Sequence, residues 1–368
     1  MDSVRKTALY DEHVACGGKI IDFAGWALPV QYEGIIEEHE AVRNAAGIFD
    51  VSHMGEVEVI GKDAFAFVQN LVTNDVATLE DNQVLYAMMC YENGGVVDDL
   101  LVYKFGAEHY YLVINASNVE KDYAWMVEQS KGYDLTLTNL SDITSEIAIQ
   151  GPKAQEILQK VVDVNLDDVK FFYCKRNVTI EGATCLISRT GYTGEDGFEV
   201  YAAHADIAKI WRKLLEVGKD LGLKPTGLGC RDTLRFEATL PLYGHEIDKD
   251  ITPLEAGLGY FVKLGKDNFI GKDALVAQKA NGLPRKTIGL EMQKGIPRQG
   301  YEVLAGDKVI GVITTGYMSP TLKKNIALAL VDANYGEMGS ELGVQVRKNV
   351  FPATVVAKKF YQKQYKKQ

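Results

Sequence analysis

The chain has few of the residues that build disulfide frameworks, metal centres and hydrolase sites. It contains five cysteines and six histidines among 368 residues. The cysteines are odd in number and never form a C-x-x-C pair, which disfavours a disulfide framework or a zinc cluster and favours reduced thiols. Neither H-E-x-x-H nor G-x-S-x-G occurs, so we expect no bound metal and no hydrolase triad. We expect His53 to be a packed, hydrogen-bonded histidine and not a base.

Long apolar runs and a surplus of positive charge are also missing. No stretch of 18 apolar residues occurs, and residues 1–6 show no apolar leader, so we expect a cytoplasmic protein without a membrane segment. Acidic residues outnumber basic ones by 50 to 40, which gives a net charge of −10 and argues against binding to nucleic-acid phosphates. Residues 357–368 differ, with several lysines and no acid. This tail is either a solvated terminus or a local binding surface for an anion or an acidic partner.

What the chain does have is the composition of an ordinary globular protein. Hydrophobic residues make up 46% and charged residues 24% of the sequence, which indicates neither disorder nor a fibrous repeat. A chain of 368 residues is too long for one core, so we expect two or three domains of roughly 100–150 residues each.

The first two thirds of the chain mix helical and strand patterns. Apolar spacing predicts a helix over 34–47, with Gly47 as its stop signal. Ser117 and Glu120 have the spacing of a capping box at the start of a second helix. The order of elements over 56–139 resembles a split βαβ, ferredoxin-like unit. Its predicted strands are 56–60, 85–90, 96–103, 110–114 and 135–139, and its first helix lies near 63–71.

The last part of the chain predicts a different architecture. Short alternating segments follow one another without a long helix, which favours a small barrel or a sandwich. The predicted strands are 286–292, 301–304, 309–317, 326–331, 342–346 and 353–360. Turn residues cluster at 280–284, where we expect the linker.

Two adjacent carboxylates, Asp98 and Asp99, stand in an otherwise apolar strand. The strand follows the hairpin turn Asn93-Gly94-Gly95, where successive positive φ angles suit Asn and Gly. Adjacent strand residues face opposite sides, and an unpaired buried charge costs several kcal/mol. We therefore expect one carboxylate to face a pocket and the other to cap or pair. The strand alone leaves open whether the pair is structural or catalytic.

Two glycine-containing stretches are further candidates for binding. Residues 188–199 contain three glycines, which let the backbone approach a ligand closely. This stretch lacks a phosphate-binding motif, and on its own it favours a surface hairpin. Gly227 begins a helical stretch that presents free N–H groups near Arg231. The alternative role of Arg231 is a structural ion pair with Asp232 or Glu237.

Taken together, these motifs resemble the aminomethyltransferase (T-protein) family of the glycine cleavage system in order and spacing. The resemblance covers nearly the whole chain and rests on residues 23–26, 49–56, 94–103, 188–199, 227–238, 252–257 and 319–322. It implies an enzyme that takes the aminomethyl group from the lipoyl arm of H-protein and passes its methylene to tetrahydrofolate, releasing ammonia. The products would be 5,10-methylenetetrahydrofolate and dihydrolipoyl H-protein.

The resemblance also implies roles for individual residues. Asp99 would be the catalytic residue, facing the folate nitrogens that accept the carbon. The Glu199 carboxylate would accept hydrogen bonds from the pterin amino group and ring N–H, and Arg231 would donate on the polar side. Near the end of the chain, some members of the family place an Arg against the folate glutamate tail. Lys366 and Lys367 would make this contact here. The remaining folate-pocket positions would be Met54, Tyr86, Tyr103, Val113, Asn115 and Tyr192.

The fold implied by the resemblance is α+β, a three-domain cloverleaf around a central folate site. The first domain would be discontinuous, 1–53 with 140–245, and the ferredoxin-like second domain would comprise 54–139 with 246–280. Residues 281–368 would form a C-terminal β-barrel. We expect a monomer that uses folate as its one-carbon acceptor and binds no metal.

Two other functions stay open. Folate-binding relatives of this family act in iron–sulfur maintenance without this catalysis, but they usually carry a reactive-cysteine motif, which this chain does not show. A related folate-coupled demethylase acting on another one-carbon donor is the third hypothesis. An assay with and without H-protein separates the three.

Overall fold

The computed structural model describes residues 4–366, which form a mixed α+β chain. The strands are β1 Lys19–Phe23, β2 Trp26–Gln31, β3 Ala46–Asp50, β4 Gly55–Ile60, β5 Val84–Cys90, β6 Val96–Gly106, β7 His109–Ile114, β8 Thr136–Asn139, β9 Thr144–Gln150, β10 Cys174–Ile180, β11 Ala183–Ser188, β12 Gly197–Ala203, β13 Leu223–Pro225, β14 Arg285–Met292, β15 Glu302–Ala305, β16 Lys308–Met318, β17 Asn325–Asp332, β18 Glu341–Val346 and β19 Asn349–Val356. The helices are α1 Tyr10–Ala15, α2 Ile35–Asn44, α3 Ala64–Leu71, α4 Val119–Gln129, α5 Ala154–Leu158, α6 His204–Gly218, α7 Leu228–Glu237 and α8 Lys272–Asn281. Within residues 4–366, no helix is both long and apolar enough to span a membrane.

One sheet joins strands that lie far apart in the sequence. Its order is β10-β11-β12-β9-β3-β13, so β3 pairs with β9 and β13, which both come much later in the chain. Helix α6 covers this sheet with four buried side chains spaced to share one helical face, namely Ile207, Ile210, Trp211 and Leu214. The boundaries given above for the three domains stay a prediction.

The second sheet contains the strand that carries Asp98 and Asp99. Its order is β5-β6-β7-β4-β8, and α3 and α4 contribute to its core. The predicted order of strands and helices is confirmed, with one strand more than a split βαβ unit has. The predicted capping box is wrong: Ser117 lies in a short 3-10 turn, Ala116–Asn118, and α4 begins without a side-chain cap.

Gly47 and Gly95 lie where neighbouring atoms leave no room for a side chain. Helix α2 ends at Asn44, earlier than predicted, and Gly47 lies inside β3. A Cβ on Gly47 would collide with Val42 of α2, so this glycine lets the helix approach the strand instead of ending the helix. The hairpin between β5 and β6 is confirmed, but only Gly94 has a positive φ. A Cβ on Gly95 would collide with the Lys249 carbonyl oxygen.

The C-terminal strands form a closed barrel in the order β14-β17-β16-β15-β18-β19. Strand β14 closes it by pairing with both β17 and β19. The alternative of a sandwich is therefore wrong. The last strand spans Asn349–Val356 instead of 353–360. The chain beyond it returns to the loop before β12 of the first sheet, where the Gln364 backbone N–H donates to the Gly194 carbonyl, 2.8 Å away.

A buried polar network fastens α7 to the barrel. The Arg235 guanidinium is 1% exposed and pairs with the Glu246 carboxylate at 2.8 Å. Glu246 also accepts hydrogen bonds from the hydroxyls of Thr314 and Thr315 on β16, at 2.8 and 2.6 Å. Because each buried charge has a partner, α7 is held against the barrel wall.

Candidate functional site

A cavity of about 1770 Å³ lies where the two sheets, α7 and the barrel meet. Asp99 of the second sheet, Glu199 of the first sheet, Arg231 of α7 and Tyr317 of the barrel all line it. Sites for one small molecule usually measure roughly 300–1,000 Å³. The cavity therefore has room for more than one small ligand at a time.

Asp99 is a partly buried carboxylate on the cavity wall. The Tyr86 hydroxyl donates to Asp99 Oδ2 at 2.8 Å, and the Asn115 side-chain amide donates to Asp99 Oδ1 at 2.8 Å. Burial, and next the charge of Asp98, raise the pKa of Asp99 to about 7. This carboxyl can therefore change protonation state near neutral pH, as a general acid or base requires.

Asp98 points to the opposite face of β6 and is fully buried. Its Oδ2 accepts from the Asn115 backbone N–H at 3.0 Å. Its Oδ1 accepts from the side-chain amides of Asn115 and Asn118, both at 2.8 Å. The two neighbouring carboxylates thus lie in different surroundings, as strand alternation predicts, and Asn115 contacts both.

Glu199 lies on β12, opposite Ser188 and Ala148 of the neighbouring strands. It is 6% exposed and accepts a hydrogen bond from the Thr190 hydroxyl. Burial raises the pKa of Glu199, while the Thr190 hydrogen bond and the charge of Arg231 oppose that shift. The carboxyl group is therefore held in the cavity wall, and Thr190 is its one hydrogen-bond donor among residues 4–366.

The stretch 188–199 is not a surface hairpin, which corrects the interpretation favoured by its residues alone. Arg189 is 1% exposed and binds Asp196 through two nearly parallel contacts, Nε to Oδ1 at 3.0 Å and Nη2 to Oδ2 at 2.7 Å. This bidentate pair folds the loop inward, so Gly191, Tyr192 and Glu199 reach the cavity.

Arg231 does not form the structural ion pair that the sequence left open. Asp232 instead binds Arg235 at 2.8 Å, and Glu237 binds Arg43 at 3.0 Å. The guanidinium of Arg231 lies 4.7 Å from the ring centroid of Tyr192. Within residues 4–366 it makes no hydrogen bond or ion pair, so its donors face the cavity.

The other predicted pocket residues divide into two groups. The cavity is lined by Met54, Tyr86, Val113, Asn115 and Tyr192. Tyr103 lies behind the wall, fully buried, with its hydroxyl 3.0 Å from Ser188 Oγ and 2.9 Å from the Tyr201 hydroxyl. The two sheets close against each other at this level of β6, and Tyr201 lines the cavity.

The C-terminal lysines also differ from the prediction. Lys366 is exposed and donates to Gln155 Oε1 at 2.8 Å on the surface, away from the cavity. Lys367 lies outside the described residues. Lys359 and Lys363 of the same tail line the cavity instead. No regular spacing in this irregular segment could have distinguished these lysines from the others.

Sequence reasoning missed Glu146 and part of the behaviour of His53, which both line the cavity. Glu146 Oε2 is buried without a hydrogen-bond partner among the described residues. Burial, then Glu199 and Glu56, raise the pKa of Glu146 well above its usual value.

His53 packs edge-on against Phe23 as expected, but its Nδ1 has no hydrogen-bond partner in the described chain. Burial and the charge of Arg231 lower the pKa of His53 to about 4.

Family comparisons divide the chain into two parts. The family described as the GCVT N-terminal domain matches residues 9–266. The family described as the glycine cleavage T-protein C-terminal barrel domain matches residues 285–362. Every cavity residue discussed above lies within these two ranges, except Lys363.

Similar proteins match over their full length. The chain is 66% identical to the aminomethyltransferase of Alkaliphilus oremlandii, over 100% of both chains. It is 60% identical to that of Thermoanaerobacter pseudethanolicus, again over 100% of both. The crystal structure of glycine cleavage system aminomethyltransferase T from Bartonella henselae has 30% identity and a TM-score of 0.92, with 99% of each chain covered. The fold and the enzyme class thus agree between the sequence and structure comparisons.

Proposed function

Since the chain belongs to the glycine cleavage T-protein family of aminomethyltransferases, we propose that tetrahydrofolate and the lipoyl arm of H-protein are its substrates. The methylene of the aminomethyl group passes to tetrahydrofolate. The carbon's bonds to sulfur and to the amine nitrogen break, and two bonds to folate nitrogens form. The folate N–H protons end on the sulfur and on the released ammonia, so the step needs no oxidant or reductant.

The observation that carries this proposal is that Asp99, Glu199 and Arg231 all line the same cavity. A pterin presents an amino group and a ring N–H side by side, and a carboxylate such as Glu199 accepts both. Arg231 supplies a cationic donor close to Glu199. The volume of about 1770 Å³ leaves space for a second substrate to reach the same folate nitrogens.

The role proposed for Asp99 is to orient the folate amine and to stabilise positive charge while the iminium forms and is attacked. A fixed carboxylate in a partly dry site is effective for this because it needs little reorganisation. Tyr86 and Asn115 each donate one hydrogen bond to Asp99 at 2.8 Å, which fixes the carboxylate plane. Lys359 and Lys363, which line the cavity, replace Lys366 as the proposed contacts of the folate glutamate tail.

Glu199→Gln is expected to weaken tetrahydrofolate binding by about 10- to 100-fold, because hydrogen bonds to a charged group are worth about 1.5–3 kcal/mol. Gln keeps the shape but offers one acceptor and an N–H group to a ligand edge that carries two donors. The dissociation constant is measured by isothermal titration calorimetry. Glu40→Gln, at a 53% exposed side chain paired with Lys323, serves as the control. Unchanged binding in Glu199→Gln would remove this residue from the pterin site.

The rate is expected to rise with pH through about 7, where burial and the charge of Asp98 set the pKa of Asp99. A raised pKa means that Asp99 is protonated below this pH, and the protonated form cannot stabilise an iminium cation. Thus kcat/KM should fall about tenfold for each pH unit on the acid side. Recovery of activity after return to neutral pH excludes denaturation. A flat profile across this range would contradict the proposed role.

The test of the function is a coupled assay of the purified chain with tetrahydrofolate and aminomethylated H-protein. We expect ammonia and methylenetetrahydrofolate in equal amounts, and neither product without H-protein. Folate binding without turnover would favour the non-catalytic relatives. Turnover with another one-carbon donor in the absence of H-protein would favour the demethylase.

A further inference from the structure

A third carboxyl group, Asp122 of α4, lies directly behind the Asp98 and Asp99 pair. Asp122 is fully buried, and neither of its carboxyl oxygens has a hydrogen-bond donor among residues 4–366. The Asp98 carboxyl is its hydrogen-bond neighbour. The other titratable groups that face it are the Lys121 ammonium on the same helix and the Tyr243 phenol of the segment after α7.

In the Asp98 and Asp122 pair, the Asp98 carboxyl is the hydrogen-bond acceptor. It accepts three N–H hydrogen bonds, two from Asn115 and one from Asn118, at 2.8–3.0 Å. Three N–H donors favour the charged form of a carboxyl group over its protonated form. An ionised Asp122 beside it would place two negative charges in contact, away from water.

Lys121 is an ion-pair partner of Asp122, but it does not supply an aligned hydrogen bond. Its ammonium lies 3.0 Å from Asp122 Oδ1, but the alignment is not that of a hydrogen bond. The ammonium donates instead to the Val97 carbonyl oxygen and lies 4.6 Å from the ring centroid of Tyr243. The contact between the two carboxyl groups becomes favourable when one proton lies between them.

We propose that Asp122 is a neutral carboxylic acid at neutral pH and donates its proton to Asp98, forming a fixed pair that positions Asn115 and, through it, Asp99. The positioning of Asp99 by this pair rests on the role proposed for Asp99. The protonated state of Asp122 does not depend on that role. Burial and the contact with Asp98 raise the pKa of Asp122 to about 10, in agreement with the geometry. Asp122 and Asp98 are positioning residues, since neither lines the cavity.

Asn115 transmits the position of the pair to the cavity. Its side-chain nitrogen lies 2.8 Å from Asp98 Oδ1 and 2.8 Å from Asp99 Oδ1. A flipped amide would aim its oxygen at two carboxylates, which is repulsive. With Asp98 fixed from behind by Asp122, the amide has one orientation, and the Asp99 carboxylate turns its remaining lone pairs toward the cavity.

The pH profile distinguishes a neutral Asp122 from a charged one. Asp98→Asn removes a negative charge beside Asp99, so the acid limb of kcat/KM should move to lower pH. Asp122→Asn removes no charge if Asp122 is neutral, so its acid limb should stay at the wild-type pH. Asp122→Leu removes the donor and should lower kcat about tenfold relative to Asp122→Asn, as for a lost hydrogen bond to a charged group. An acid limb that moves to lower pH in Asp122→Asn would overturn the proposal.

Infrared spectroscopy tests the same inference without any substrate. The difference spectrum between wild type and Asp122→Asn at neutral pH should contain the carbonyl stretch of a protonated carboxylic acid. Asp134→Asn, at a 69% exposed side chain paired with Lys62, should give no such band. If Asp122→Asn does not fold, Asp98→Asn gives the readout, because the Asp122 band should shift when its acceptor loses its charge. Absence of the band would refute the inference, whereas failure of the coupled assay alone would leave it standing.

Discussion

Asp99→Asn is expected to lower kcat by about 10²- to 10⁴-fold, the range over which a positioned acid or base contributes to catalysis. Asparagine keeps the shape of the side chain and can keep the contacts to Tyr86 and Asn115, at 2.8 Å in the native protein. It cannot carry the negative charge that the role proposed for Asp99 requires. Affinity for tetrahydrofolate should change little, because Glu199 and Arg231 are the residues proposed to make the charged contacts to the pterin.

The measurement combines single-turnover formation of methylenetetrahydrofolate with calorimetric folate binding. Asp142→Asn, at an 85% exposed carboxylate paired with Arg5, is the matched control and should keep the wild-type rate. Normal turnover in Asp99→Asn would exclude Asp99 from the chemistry. Loss of folate affinity together with rate would make it a binding residue instead.

Arg43→Ala is expected to destabilise the protein by about 3–5 kcal/mol, the cost of removing one partner from a buried ion pair. Arg43 binds Glu195 at 2.8 Å and Glu237 at 3.0 Å, and it lies 3.9 Å from the ring centroid of Tyr361. Burial alone would raise the pKa of Glu237. Contacts with His39, Ser319 and Thr321 outweigh burial and lower this pKa to about 2. The Glu237 carboxylate would therefore stay charged after losing the arginine.

Thermal unfolding of Arg43→Ala measures this loss as a lower midpoint, which suits a chain of several sheets that need not unfold in one step. Arg5→Ala is the control, since Arg5 pairs with Asp142 at exposed side chains and such pairs contribute at most about 1 kcal/mol. A midpoint equal to that of the control would mean that the network has little net effect. Because Arg43 also contacts Tyr361, the variant should loosen the tail that carries Lys363.

The order of elements was predictable because local patterns determine it. Alternation within β6 separated Asp98 from Asp99, and the short strands after residue 285 indicated a barrel or a sandwich, of which the structure contains the barrel. The roles of Asp99, Glu199 and Arg231 came from resemblance to a family, and they stay predictions. What the structure adds is that all three line one cavity.

The errors concern residues whose position depends on distant parts of the chain. Arg231 and Arg235 lie one helical turn apart, and sequence alone gave no reason for the second to take the ion pairs. Residues 188–199 are polar, yet the Arg189 and Asp196 pair buries them. Tyr103 shares a face of β6 with Asp99, but the other sheet covers it. The partners of each residue lie far away in sequence, so no local pattern could reveal them.

The position of β3 between β9 and β13 has a consequence for biosynthesis. Strand β3 ends at Asp50, whereas its first partner, β9, begins at Thr144. At ribosomal speeds of about 5–20 residues per second, β3 waits roughly 5–20 s for a partner after it is made. The five-stranded sheet formed by β4–β8 is complete in the meantime and can fold first. The pairing of β3 with β9 therefore follows the synthesis of the five-stranded sheet, and until residue 150 is made the apolar side chains of β3 lack their native partners. Transiently exposed apolar surface of this kind favours aggregation.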